Sequence, residues 1–272
     1  MRSMEQERRY DRPIRIADGI FWVGFFEEES NLHCNPYLVT GDGQAVVIDG
    51  GSRPDFAVVM TKILQTGLDP STISHLIYQH YDPDLCGSIP HFIDACENPD
   101  LNVLSHPANN IFIRYYTGPE HHHHITSIKG NGNALALGER RLRFIDTPYC
   151  HTAGSFVTYD EQTKTLFTSD LFGSFSNKWD LYLDLTDDCF GCREFTRCPN
   201  GKTYCAMADI IAFHRHVMPN NKALANAMRI IKTLDLALIA PQHGSLVANP
   251  PHIYRLIELL EGLDQVGIDH VC

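Results

Sequence analysis

Three side chains that could bind a metal follow one apolar run of the sequence at every second position. His80, Asp82 and Asp84 come directly after Ile77 and Tyr78. Alternate residues of an extended segment face the same way, so an extended chain would turn one imidazole and two carboxylates into one pocket. Such nitrogen and oxygen donors suit a borderline or hard divalent metal. The alternative is a polar loop after a strand, where aspartate and proline are common.

Three more residues of metal-binding type stand at the ends of apolar or threonine-rich runs. They are His151, Asp170 and His243, and each is followed within a few residues by glycine. Any one of them alone is more often a structural histidine or a turn aspartate. Because all of them recur in this setting, together with His80 and its two carboxylates, they predict a metal centre at the strand ends.

Composition excludes several classes of partner. The chain has 272 residues, of which 43% are hydrophobic, and a formal net charge of -11. This charge disfavours nucleic acid and anionic membrane surfaces. No apolar run approaches the roughly 20 residues of a membrane span, and the charged N-terminus lacks the apolar core of a signal peptide. We therefore expect a cytoplasmic protein whose 9 cysteines are thiols or metal ligands.

Hairpin signals open the chain, and helical patterns follow. Glycine turns at residues 18–19 and 41–43 lie between alternating apolar residues, which is typical of β-hairpins. A helix is predicted to begin at Ser52, just before a proline. Asn220 is predicted to cap a helix that runs to Lys232. Further apolar runs of strand length alternate with such helices, which predicts an α/β fold with two mixed sheets packed face to face and helices on the outer faces.

Two stretches are less regular. Residues 106–130 predict a helix followed by a loop that could act as a lid, and residues 171–205 predict a cysteine-bearing insertion. Nothing in the sequence resembles a linker or a tandem repeat. We therefore expect a single domain over residues 1–272.

The strand-end motifs together resemble a known family. In order they are H-x-[H/E/D]-x-D, T-x-x-x-H-x-x-G-S, S-D-x-F-G and P-Q-H-G, and the resemblance runs from about Ile14 to Leu260. This order is similar to the metallo-β-lactamase superfamily. It is more similar to the diiron domain of flavodiiron proteins and to free-standing oxygen-binding diiron proteins. The resemblance implies an αββα sandwich that holds two iron ions.

The resemblance also implies which residues bind each ion. One ion would be held by His80, Asp82 and His151, the other by Asp84 and His243, and Asp170 would bridge the two. A bridging carboxylate is expected because it reduces the repulsion between two cations a few Å apart.

Two departures from the family pattern bear on function. Hydrolytic members usually carry histidine where this chain has Asp82, and the added negative charge favours iron over zinc. The family typically has histidine where this chain has Leu85, which cannot ligate and would leave positions open for water, O2 or NO. The chain ends at Cys272, soon after the last predicted helix, so we expect no flavodoxin-like domain and no FMN.

These features predict an oxygen sensor or carrier that binds O2, or a related diatomic such as NO, at a non-haem diiron site. One alternative is an O2 or NO reductase subunit fed by a separate electron donor, and another is a dinuclear metallohydrolase. If the protein is an enzyme, we favour the reductase over the hydrolase. A non-enzymatic scaffold would require six coincidental ligand-type residues. We also expect a separate electron-donor or signalling partner, and a homodimer remains open.

Weaker signals accompany the six ligand-type residues. His33 and Tyr81 are candidates for contacts behind or beside the ligands, as is Leu85. A possible second site, for zinc or an iron–sulfur centre, would use the insertion cysteines Cys189, Cys192, Cys198 and Cys205. Their spacing is not a standard fingerprint, and reduced loop thiols are the alternative.

Overall fold

Two β-sheets form the frame of the protein. The computed structural model describes residues 10–25, 33–176, 178–192, 198 and 200–271. The strands of the first sheet are β1 (Ile14–Ala17), β2 (Ile20–Trp22), β3 (Tyr37–Gly41), β4 (Gln44–Ile48), β5 (Ile73–Ile77), β6 (Asn102–Ser105) and β7 (Ile125–Ser127). The strands of the second sheet are β8 (Ala134–Leu137), β9 (Arg140–Asp146), β10 (Phe156–Asp160), β11 (Thr165–Phe167) and β12 (Leu238–Ala240).

Both sheets are mixed, as predicted. The seven-stranded sheet runs in the order β1 to β7, antiparallel as far as β4 and parallel from β4 to β7. The five-stranded sheet has the order β12-β11-β10-β9-β8, and within it only β11 and β12 are parallel. The parallel pair matters for the metal centre, because β11 and β12 reach the same sheet edge at their carboxyl ends.

Helices lie on the outer faces of the sheets. In chain order they are α1 (Phe56–Gln65), α2 (Pro83–Cys86), α3 (Ile89–Cys96), α4 (Pro107–Ile113), α5 (Asp187–Gly191), α6 (Ala206–Val217), α7 (Asn221–Ile231) and α8 (Pro250–Glu261). The apolar residues of α1 and α3 pack on the first sheet, and those of α6, α7 and α8 pack on the second. None of the helices in the described part of the chain is long and apolar enough to cross a membrane.

Side-chain alternation along the strands separates an inner core from two outer cores. In β3, Tyr37 and Val39 enter the core between the sheets, whereas Leu38 packs under α1 and α3. In β11, Phe167 enters the inner core and Leu166 packs under the helices on the other side. Successive residues of a strand point to opposite faces, so each sheet is apolar on both faces. The result is the predicted αββα sandwich.

Most predicted elements are confirmed, and two differ. Helix α1 begins at Phe56 rather than after Ser52, because the Asp55 carboxylate accepts hydrogen bonds from the backbone N–H and hydroxyl of Ser52 and closes a turn there. Strand β7 was missed within residues 106–130. Its three residues are too few to show a period, and it is formed by pairing with β6.

Some predictions fall partly outside the described residues. The N-terminal arm is described only from Tyr10, and the insertion lacks residues 177, 193–197 and 199. The described part of the insertion contains the short helix α5 and otherwise irregular chain.

Candidate metal centre

The predicted ligands leave the carboxyl ends of strands from both sheets. His80 follows β5, and His151 lies in the segment between β9 and β10. Asp170 follows β11, and His243 follows β12. In the parallel pair, Phe167 stands opposite Ala240, so Asp170 and His243 emerge at adjacent positions. The two sheets therefore bring these side chains to one edge of the sandwich.

The local conformation around Asp82 differs from the extended segment that the sequence predicted. Asp82 is extended, with φ -74° and ψ 154°, but Pro83 then begins the helical turn α2. Proline suits the first position of a helix, where its missing N–H has no partner to lose. Asp84 is therefore helical, and the prediction that it faces the same way as His80 by strand alternation is wrong. The three side chains still converge on one site, although Asp84 faces His243.

One group of donors surrounds His151. Its Nε2 lies 3.0 Å from Asp170 Oδ2 and 3.3 Å from Asp82 Oδ2. His80 Nε2 lies 3.8 Å from both Asp82 Oδ2 and Asp170 Oδ1. Donor atoms of His80, His151 and Asp170 all lie within 4.8 Å of one another. Two imidazoles and two carboxylates of this kind could hold one divalent cation.

A second group of donors surrounds His243. Its Nε2 lies 3.1 Å from Asp84 Oδ2 and 3.6 Å from Asp170 Oδ1. Cys34 joins this group, since its sulfur lies within 4.8 Å of donor atoms of both Asp84 and His243. Asp170 thus faces His151 with one carboxylate oxygen and His243 with the other. This is the arrangement expected of a carboxylate that bridges two ions.

The charges of the site fit a pair of cations. Asp170 is 4% exposed, and its Oδ1 has no hydrogen-bond partner, although a buried carboxylate oxygen ordinarily has one. Among the described residues, the ion-pair partners of Asp82, Asp84 and Asp170 are histidines. An anionic cluster that is partly buried and has no lysine or arginine as partner requires compensating charge from elsewhere.

The pKa shifts of Asp170 and His151 also indicate that the carboxylates of the site are stabilised by positive charge beside them. Burial opposes ionisation of Asp170, but His80, His151 and His243 outweigh it and hold the pKa of this carboxyl well below its usual range. Burial likewise opposes protonation of His151, yet Asp170 and Asp82 raise the pKa of His151 to about 10. Protons on His151 and His243 therefore offset part of the charge of the carboxylates when no cation is bound. Divalent cations would replace these protons, because ligating histidine is neutral.

Hydrogen bonds behind two of the histidines leave Nε2 facing the site. The Nδ1–H of His243 donates to the backbone carbonyl of His33 over 2.9 Å, since a carbonyl can only accept. His80 Nδ1 lies 2.7 Å from the hydroxyl of Ser169, the residue directly before Asp170. Partners of this kind fix the ring orientation and tautomer of a metal-binding histidine.

The three residues predicted to lie behind or beside the ligands, His33, Tyr81 and Leu85, make different contacts. His33 acts on His243 through its backbone, while its ring Nε2 lies 2.8 Å from the carbonyl of Ser176. Tyr81 stacks on Phe112 with ring centroids 4.4 Å apart. Leu85 is fully buried in the outer core under α1 and α3, which is a packing role.

Sequence reasoning missed Cys34, Ser169 and Asp49. Cys34 and Ser169 are direct sequence neighbours of the candidate residues His33 and Asp170. Asp49 ends the second predicted hairpin and accepts hydrogen bonds from the backbone and side-chain N–H groups of Gln79, each over 3.0 Å. It thereby fixes the residue before His80. For Cys34 and Ser169 the available signal was adjacency to a candidate residue, and for Asp49 it was a position at the end of a predicted strand.

His214 is a further residue that the motifs did not single out. It is fully buried on α6, where its Nδ1–H donates to the carbonyl of Ile210 and its Nε2 accepts from the backbone N–H of Phe172. Burial lowers the pKa of His214 to about 4, so the ring stays neutral and can accept this bond. His214 therefore holds the turn that carries Asp170.

The four insertion cysteines are partly exposed. No three of Cys189, Cys192, Cys198 and Cys205, all of which the structure describes, have their sulfur atoms within 4.8 Å of one another. Zinc or an iron–sulfur centre at these residues stays a prediction.

Comparison with known proteins places the chain in a family. The model of the family described as ODP family beta lactamase matches residues 32–244. The type A flavoprotein fprA of Rhodobacter capsulatus is 26% identical over 255 residues, which cover 89% of this chain and 54% of the relative. The nitric oxide reductase of Moorella thermoacetica is 26% identical over 263 residues, which cover 91% and 60% of the two chains. This chain thus spans little more than half the length of these relatives.

Solved structures share the fold. The flavodiiron protein from Giardia intestinalis is similar with a TM-score of 0.75 and 16% identity, over 92% of this chain and 59% of the other. The chemotaxis sensor ODP, solved as a peroxy diiron species, is similar with a TM-score of 0.74 and 19% identity, over 95% and 97% of the two chains. Because the family model spans residues 32–244, the chain belongs to the ODP family of beta-lactamase-like proteins.

Proposed function

We propose that the protein holds two iron ions at this site and binds O2, or a related diatomic such as NO, as a sensor or carrier. The observation that carries the proposal is Asp170, whose buried carboxylate faces His151 with one oxygen and His243 with the other. The likeness to the chemotaxis sensor ODP, which extends over 97% of that chain, favours sensing.

Different residues would hold each of the two ions. His80, Asp82 and His151 would hold one ion, Asp84 and His243 would hold the other, and Asp170 would touch both. Ferrous iron, when bound, supplies the electrons and the coordination position that a diatomic ligand needs. Ser169 and the carbonyl of His33 keep two of the imidazoles oriented.

The donor set favours iron over zinc. Asp82 adds a carboxylate to His80 and His151, so the first ion meets more negative charge than in a site with a third histidine. Hard oxygen donors suit redox-active iron better than a set of imidazoles does. Leu85 offers no donor to the second ion because its side chain is a hydrocarbon, and it packs in the outer core.

A reductase is the second candidate function. It is favoured by the likeness to a curated nitric oxide reductase, of which this chain covers 60%. In that case a separate electron-donor protein would supply electrons, whereas a sensor would require a signalling partner. Sustained consumption of O2 or NO with an added donor would favour the reductase, and binding without turnover would favour the sensor.

Anaerobic reconstitution tests the proposal. The protein should take up about two ferrous ions per chain, and exposure to O2 should then produce a new visible absorption band. Asp82→His should shift the metal preference towards zinc and weaken that band. Asp94→Asn, a change on the exposed side of α3, is the matched control and should behave as the unaltered protein.

Two outcomes would contradict the proposal. A protein that accepts zinc but no iron, and stays colourless in air, is not an oxygen-binding diiron protein. Hydrolysis of a generic phosphodiester with zinc or manganese would instead support a dinuclear hydrolase.

A further inference from the structure

Among the described residues, Cys34 lies beside the second donor group but is not part of the predicted ligand set. It is 5% exposed, and its sulfur lies within 4.8 Å of donor atoms of Asp84 and His243. The unpartnered Oδ1 of Asp170 faces the same space, 3.6 Å from His243 Nε2. Cys34 is therefore part of a group of metal-type side chains rather than an isolated buried thiol.

The backbone on both sides of Cys34 is tied to the loop that carries His243. The carbonyl of His33 accepts from His243 Nδ1, and the backbone N–H of Asn35 donates to the carbonyl of Gln242 over 2.8 Å. The direction of the Cys34 side chain is thus set by hydrogen bonds to the residues that position the metal-binding histidine.

The side chain of Asn35 reinforces this placement. Its NH2 group donates to the carbonyls of Pro241 and Gly244, over 3.0 and 2.8 Å, and its oxygen accepts from Trp22 Nε1 over 2.9 Å. Asn35 is fully buried, and each of these bonds joins the segment to the inner core or to the loop after β12. A side chain held so rigidly can hold its neighbour at a metal without further ordering.

We propose that the Cys34 thiolate is a ligand of the second metal ion, completing a set with Asp84, His243 and Asp170. This inference rests on the proposed dinuclear site. On binding, the Sγ–H bond breaks, the proton leaves to solvent, and the sulfur lone pair forms a bond to the metal. The second ion then has four protein donors, as the first has in His80, Asp82, His151 and Asp170. Unlike the first set, the second includes a soft sulfur donor.

Cobalt substitution tests the assignment, because a thiolate bound to Co²⁺ gives an intense near-ultraviolet charge-transfer band that imidazole and carboxylate do not give. The full chain loaded with Co²⁺ should show this band, and Cys34→Ser should lose at least nine-tenths of it. Cys96→Ser is the matched control, since the Cys96 thiol is also buried but lies at the end of α3. It should keep the band.

The insertion cysteines need their own control. The double variant Cys189→Ser/Cys192→Ser should keep the band. If the band were lost in the double variant but retained in Cys34→Ser, the proposal would be overturned. X-ray absorption of the zinc-loaded double variant supplies a second measurement, in which Cys34 itself is unaltered. A sulfur neighbour at about 2.3 Å from zinc should persist there.

The number of bound metal ions distinguishes the role of Cys34 from the proposed dinuclear site on which it rests. Two Co²⁺ per chain without a sulfur band would refute the role of Cys34 and leave the dinuclear site standing. A chain that binds no Co²⁺ would refute both.

Discussion

The carboxylate of Asp170 is the group on which the two halves of the site depend. Its oxygens face histidines of different donor groups, and His214 and Ser169 hold the turn that carries it. The three neighbouring histidines outweigh the effect of burial and hold the pKa of Asp170 well below its usual range, so Asp170 is an anion at ordinary pH. Such a residue has no equivalent neutral replacement.

Replacing Asp170 with asparagine should remove most of the bound metal. The amide carries no charge and presents one oxygen instead of two, so at least one ion loses its ligand and neither keeps an anionic one. We expect affinity to fall by more than the roughly 10- to 100-fold cost of losing a partner behind a metal ligand. Equilibrium dialysis against iron measures this, with Asp94→Asn as control. Unchanged binding of both ions would show that Asp170 does not bridge them.

Asp49 should make the stability of the metal-free protein depend on pH. Burial raises the pKa of Asp49 to about 7, although two hydrogen bonds from Gln79 oppose the rise. The folded state thus binds this proton more tightly than the unfolded state, so the stabilisation is present at low pH and is lost as pH rises through about 7.

The variant Asp49→Asn isolates this effect. Its free energy of unfolding should lack the contribution of Asp49, so the difference between the two proteins should change by up to about 3 kcal/mol between about pH 5 and pH 8. Urea denaturation of both proteins, stripped of metal, measures it. Parallel curves across this range would contradict the role of Asp49.

At the scale of elements, a buried ion pair joins the first hairpin to the second sheet. Arg140 begins β9, and its Nη1 donates to Asp160 Oδ2 of β10 over 3.0 Å, with both side chains almost fully buried. Its Nη2 donates to the carbonyl of Asp18, in the turn between β1 and β2, over 2.6 Å. One guanidinium therefore holds the β1–β2 turn against the edge of the other sheet.

Arg140→Met should destabilise the fold strongly. It leaves Asp160 buried without its charge partner, and breaking such a pair costs about 3–5 kcal/mol. Arg141→Met in the same strand is the matched control, since its pair with Glu161 is at the surface and is worth about 0–1 kcal/mol. Chemical denaturation compares the two, and equal losses would contradict the assignment.

At the scale of the whole molecule, the candidate metal centre takes its residues from both sheets. His80 comes from the first sheet, whereas Asp170 and His243 follow strands of the second. The formal net charge of -11 also leaves the folded chain with excess negative charge, part of which lies in this cluster. Bound cations would offset that charge and connect the sheets at the same point.

Removing metal should therefore lower the unfolding temperature. A ligand that binds the folded state at 100 times its dissociation constant adds about 2.7 kcal/mol. At about 2–4 °C per kcal/mol, the loaded protein should unfold several degrees higher than the stripped protein. Differential scanning calorimetry measures the rise, and Asp170→Asn should largely abolish it. A rise of equal size in that variant would indicate binding elsewhere.

Local patterns predicted much of the fold. The hairpins, the helix capped by Asn220 and the two mixed sheets follow from turn residues and side-chain periods, which depend on neighbours within a few positions. The six ligand-type residues were also visible, because each comes soon after a strand. Strand β7 was not visible, since its three residues are ordered by pairing with β6.

The sequence by itself determined which side chains could bind metal and which elements would carry them. Only the tertiary structure decided how they group: Asp84 with His243, Asp170 between two histidines, and Cys34 beside Asp84 and His243. The physical reason is that these contacts join distant parts of the chain. His33 and His243, whose hydrogen bond fixes this corner of the site, are 210 positions apart, and no local period encodes such a distance.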